Sequence, residues 1–95
     1  MNIIELHNQE KEVSAASLFK GDLGTATAIQ LQRNGTLKEH ITKTPELLLC
    51  VSGFVIYEDE NEQEIQLEQG DYVSITPNVK HWLYASEKSQ LILLK

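Results

Sequence analysis

Ninety-five residues with fourteen acidic and eight basic side chains (net charge −6), 41% of them hydrophobic and 23% charged, make an ordinary globular composition, neither disordered nor membrane-spanning. A chain of this length buries about 65% of its unfolded surface and cannot divide that between two cores, which predicts a single domain over residues 1–95. Six acids (Glu58, Asp59, Glu60, Glu62, Glu64 and Glu68) fall within eleven residues; that field repels phosphate backbones and argues against nucleic acid as a partner.

The longest apolar run, Leu47 to Val51, has five residues. A membrane-spanning helix needs roughly 20, so no membrane partner is expected. The lone cysteine, Cys50, has no internal disulfide partner, and the opening MNIIELHNQEKE places charges where a signal peptide needs an apolar stretch. Both features fit a reducing cytoplasm.

Along the chain, Asn2 to Leu6 is a short apolar run, and His7 among Asn8, Gln9, Glu10 and Lys11 reads as an exposed loop histidine. Val13 to Phe19 fits either a strand or a single helical turn. Glycines 21 and 24 break the chain, and Thr25 to Arg33 then alternates at period two, the mark of a strand. Asn34–Gly35 is a dipeptide that accepts positive φ at both central turn positions. Thr36 to Thr44 reads as a short strand or loop, ended by Pro45.

The run Glu46 to Val51 is apolar on both faces, and a strand of that kind must be covered on both sides. Phe54 to Glu58 and Glu64 to Leu67 read as a hairpin around the polar stretch Asp59 to Gln63. After the Gly70–Asp71 turn come Tyr72 to Ile75, the turn Thr76–Pro77–Asn78, a strand over Val79 to Ala85, a polar break at Glu87 to Ser89 and a last strand over Leu91 to Leu94. Seven or eight short strands without a convincing helix predict an all-β sandwich or barrel.

His40, Thr42 and Glu46 share parity on an extended chain, although a bend at Pro45 can reset it. His81 follows a distant turn. Two imidazoles and a carboxylate meeting inside a barrel form a set that suits Fe(II), Mn(II), Ni(II) or Zn(II) and leaves positions open for substrate. The alternative is a pair of hydrogen-bonded polar histidines in a barrel mouth, with Glu46 paired to Lys43, Lys80 or a backbone amide. Leu48 and Cys50 share the parity of Glu46, and Leu83 that of His81; with Thr42 they are the expected lining of an interior ligand pocket. Cys50 lies four strand residues beyond Glu46, roughly 13 Å, too far to share its metal, and reads as a buried small hydrophobe. Trp82, Tyr84, Leu47, Leu49 and Val51 have the opposite parity, and an outward apolar face of this kind predicts a homodimer.

Residues 35–53 and 70–85 resemble the two motifs of the cupins. The first motif, G-(x)5-H-x-H-(x)3,4-E-(x)6-G, is matched by Gly35, His40, Glu46 and Gly53, with the first gap one residue short and Thr42 in place of the second histidine. The second, G-(x)5-P-x-G-(x)2-H-(x)3-N, is matched by Gly70 and His81, with Thr76, Asn78 and Ala85 departing from it and Pro77 one place late. The resemblance implies a double-stranded β-helix, the jelly-roll cupin barrel, usually dimeric, with His40, Glu46 and His81 as metal ligands. It further implies a small-molecule ligand and, for an enzyme, dioxygenase-like or isomerase-like chemistry. Thr42 keeps open the alternative of a metal-free binding or sensing module.

Overall fold

The computed structural model describes residues 1–95 and is built almost wholly of antiparallel strands. A 3-10 turn at Ile3–Leu6 precedes β1 (Val13–Lys20), β2 (Thr25–Leu31), β3 (Thr36–His40), β4 (Glu46–Ser52), β5 (Val55–Asp59), β6 (Glu64–Leu67), β7 (Tyr72–Ile75), β8 (His81–Ala85) and β9 (Ser89–Leu94). Five strands form one sheet in the order β1-β2-β9-β4-β7, and four form the other in the order β3-β8-β5-β6. Apolar residues from both sheets, among them Leu48 and Leu91 of the first and Tyr57 and Leu83 of the second, join in one core. This is the jelly-roll barrel expected from the sequence. No helix is long and apolar enough to cross a membrane.

Period-two alternation accounts for most of the core. On β2 it buries Ile29 and Leu31, on β4 Leu48 and Cys50, and on β5 Val55 and Tyr57. The ninth strand is β1, whose sequence left strand and helical turn open; it pairs with β2 from Val13 opposite Leu31 to Lys20 opposite Thr25. The other face of β4 is covered only in part by this chain, with Leu47 and Leu49 half-buried and Val51 36% exposed.

Several expectations need correction. Leu47, Leu49 and Val51 do not share a sheet with Trp82 and Tyr84: β4 belongs to the five-stranded sheet and β8 to the four-stranded one, so the two outward groups lie on opposite outer faces. At the Asn34–Gly35 turn only Asn34 has positive φ, 66°. Gly35 is required for space instead, since a Cβ there would sit 2.8 Å from the Gln32 carbonyl oxygen. Gly53 needs both properties, with φ 97° and a Cβ that would be driven into Ser89.

His7 is not exposed. It is buried at 8% exposure beside the outer face of the five-stranded sheet, with Nδ1 2.8 Å from Ser14 Oγ. Local sequence could not show this, because the segment is tied down from afar. Gln32 donates from its side chain to the Gln9 carbonyl at 2.6 Å and from its backbone to that of Glu12 at 3.0 Å.

Candidate functional site

The site is assembled from the ends of strands in both sheets. On β3 and β8, Leu37 stands opposite Leu83 and His40 opposite His81, so three steps along one strand match two along the other. The resulting β-bulge turns both Leu37 and His40 toward the barrel interior, which a regular strand would not do for residues of opposite parity. The two imidazoles meet edge to face, with ring centroids 4.1 Å apart. Glu46, at the start of β4, comes from the opposite sheet. His40, Thr42 and Glu46 therefore do not share one strand face: His40 ends β3, Thr42 lies in the following loop and Glu46 opens β4 of the other sheet.

His40, Glu46 and His81 all line one inner cavity of about 20 Å³, together with Ile29, Leu37, Leu48, Ile75, Leu83 and Leu93. That volume holds about one water molecule or one ion. The barrel interior is thus too small for the organic ligand expected there. Leu48 and Leu83 line the cavity as expected, whereas Thr42 and Cys50 do not. Thr42 donates its hydroxyl to the Thr44 carbonyl at 3.1 Å, and its own carbonyl accepts from the Asn78 amide at 2.8 Å, joining the loops of the two motifs. Cys50 is fully buried with Sγ 3.5 Å from the Ser52 carbonyl, and burial, followed by the charge of Asp71, pushes its thiol up from the ordinary value.

Each cavity histidine is anchored in the same way. His40 Nδ1 lies 3.2 Å from the Lys38 carbonyl oxygen, and His81 Nδ1 lies 3.2 Å from that of Val79. A carbonyl only accepts, so Nδ1 carries a proton in both rings, and it is Nε2 that offers a lone pair whenever the ring is neutral. Burial holds the His81 pKa below its ordinary value, with His40 acting in the same direction and the Val79 carbonyl, Glu46 and Asp59 opposing. Glu46 is 7% exposed; its Oε1 is sealed without a hydrogen-bond partner, and its Oε2 is 3.8 Å from the half-exposed Lys95 ammonium.

Two supporting residues escaped the sequence reading. The Tyr57 ring stacks on His81 at 5.8 Å and 24°, and its hydroxyl donates to Asp59 Oδ2 at 3.3 Å. Burial, then the charge and hydrogen bond of Asp59, push the Tyr57 hydroxyl up to about 12, so it remains a donor. Asp59 Oδ1 accepts from the Asn61 amide at 2.9 Å and the Gln63 amide at 3.3 Å, fixing the hairpin turn. Extending the alternation Val55, Tyr57 by one step would have placed Asp59 inside rather than in a solvated loop.

A surface groove of about 640 Å³ adjoins the inner cavity and shares Ile29, Leu37, His40 and Leu93 with it. Its volume falls within the range of small-molecule sites, roughly 300–1,000 Å³. As they stand, no three His, Cys, Asp or Glu side chains are gathered closely enough to coordinate one ion. The donor types nevertheless fit a borderline divalent metal: two imidazole lone pairs and a carboxylate oxygen that lacks a partner.

A family model described as a cupin domain matches residues 28–94. No curated protein matches the sequence. Among solved structures, a cupin superfamily protein from Desulfitobacterium hafniense superposes with a TM-score of 0.85 at 14% identity, covering 98% of this chain and 84% of its own. A conserved Streptococcus pyogenes protein of unknown function gives 0.83 at 16% identity, covering 99% and 82%. A cupin-2 domain containing protein from Shewanella frigidimarina gives 0.81 at 18% identity, covering 97% and 86%. At these identities the likeness is one of fold.

Proposed function

The chain belongs to the cupin family, whose domain model spans residues 28–94, and from that premise we propose that it binds one divalent metal through His40, Glu46 and His81 and a small organic molecule in the adjoining groove. The observation that carries this reading is the matched anchoring of the two histidines, which leaves both Nε2 lone pairs free on residues that line an ion-sized cavity. Fe(II), Mn(II), Ni(II) and Zn(II) all suit that donor set. A bound metal would supply Lewis acidity and a template for orientation. The protein's own groups hold the imidazoles in their tautomers, exclude bulk water from the cavity and leave the groove side open through His40. Oxygen-dependent cleavage and isomerisation are the reaction classes to screen.

Elemental analysis of the purified protein, followed by titration with these four metals beside His81→Ala, tests the reading. Near-stoichiometric metal that disappears in the variant supports it. No metal and no binding at tens of micromolar would overturn it. One observation favours a second reading, a metal-free binding or sensing module: the Lys95 ammonium already sits beside Glu46 and would compete with a metal for that carboxylate.

We also propose a cytoplasmic homodimer that covers the outer face of the five-stranded sheet at Leu47, Leu49 and Val51. A monomer in sedimentation at micromolar concentration would contradict the dimer.

A further inference from the structure

The groove beside the inner cavity differs in charge from the acidic depression at the β5–β6 hairpin. Its floor is apolar, built from Val13, Ile29, Leu37 and Leu93, and His40 stands where it meets the cavity. Two lysines line it from separate elements, Lys11 ahead of β1 and Lys38 on β3. Neither takes part in the protein's ion pairs. The one carboxylate in the lining, Glu12, is engaged at Oε2 by the Thr36 amide at 3.0 Å. Two lysines against one carboxylate give the lining an excess of one positive charge on a chain whose net charge is −6. The acidic residues of the β5–β6 hairpin, Glu58, Asp59, Glu60, Glu62 and Glu64, surround a different depression, with Trp82.

We infer that the groove takes an organic carboxylate: an anionic head held between Lys11 and Lys38, a short apolar stem on Val13, Ile29, Leu37 and Leu93, and the far end presented to His40. This rests on the reading of the groove as the ligand site and adds the class of ligand. Charge complementarity selects the head, because Lys11 and Lys38 can pair with an anion whereas the acidic hairpin repels one. Lys38 serves twice, since its side chain meets the carboxylate while its carbonyl fixes the His40 ring. Binding the head thus places the stem against an imidazole whose orientation is set by the same residue.

The test uses straight-chain monocarboxylates, hexanoate and octanoate, beside hexanol and octanol, titrated into the whole protein and followed by amide and methyl chemical shifts. The acids are expected to perturb Val13, Ile29, Leu37 and Leu93 at concentrations on the order of tenfold lower than the alcohols, as two rim ion pairs would allow. The preference should vanish in Lys11→Gln/Lys38→Gln and survive in Lys20→Gln/Lys80→Gln, which removes the same charge elsewhere. Equal binding of acid and alcohol in the groove would overturn the carboxylate assignment while leaving the groove a ligand site. A preference that persists in Lys11→Gln/Lys38→Gln would also overturn it. Shifts confined to other regions, or none at all, would overturn the groove reading together with the inference.

Discussion

The protein has two settings for buried histidine, one on each side of the five-stranded sheet. On the outer face, His7 is bonded through Nδ1 to a hydroxyl, Ser14, which can donate or accept and so leaves the tautomer free. Gln30 and Gln90, opposite each other on β2 and β9, share one amide hydrogen bond of 2.9 Å. Three of the four sealed polar atoms without partners belong to this face: His7 Nε2, Gln30 Nε2 and Gln90 Oε1. In the inner cavity, by contrast, backbone carbonyls fix both rings, and the only sealed atom without a partner is Glu46 Oε1. Burial alone does not identify a functional histidine. Fixed tautomers on residues that line an ion-sized cavity support the ligand role proposed for His40 and His81, whereas His7 bonds to Ser14 of β1.

Substitutions should separate the two settings. The largest effect is expected at His81: replacement by Ala removes one of the proposed ligands and weakens metal binding on the order of a hundredfold, the share of one ligand in a structural site. His7→Leu should leave metal titration unchanged. It strips Ser14 of its partner and costs about 1–3 kcal/mol, which calorimetry should register as a melting point lowered by roughly 5–20 °C. Loss of metal binding in His7→Leu, with stability intact, would collapse the distinction.

The next effect is on pH dependence. Burial lowers the His7 pKa from 6.5, so the unfolded chain takes up this proton more readily than the folded one. The corresponding stability is fully present above about pH 6.5 and is lost as pH falls below that value toward the folded pKa. Denaturant unfolding of wild type and His7→Gln across that window should show a shallower acid loss in the variant. His81 titrates in the same direction in both proteins, so the difference between them belongs to His7. Parallel curves would contradict the assignment. The smallest effect is expected at Lys95, whose exposed ammonium makes only a long contact with Glu46. Lys95→Ala should tighten metal binding by at most about fivefold.

The barrel and the candidate residues His40, Glu46 and His81 were legible in the glycine and histidine spacing, because Gly53 and Gly70 mark positive-φ positions and His81 opens β8. What stayed hidden depends on pairing across the fold. The bulge that turns His40 inward is visible only against β8. Asp59 was hidden by its acidic neighbours, although it faces inward and caps its own turn. His7 was hidden because β1 and β2, not its neighbours in sequence, bury it. The capacity of the interior, too, follows from how tightly Leu37, Leu48, Leu83 and Leu93 close around the site.

The most direct measurement is the nitrogen-15 spectrum of the three histidine rings at neutral pH, with and without added Zn(II). His40 and His81 should both appear with the proton on Nδ1, and their Nε2 resonances should move together on titration while those of His7 stay fixed. Protonated Nε2 in the cavity pair, or equal movement of His7, would contradict the division between the two settings.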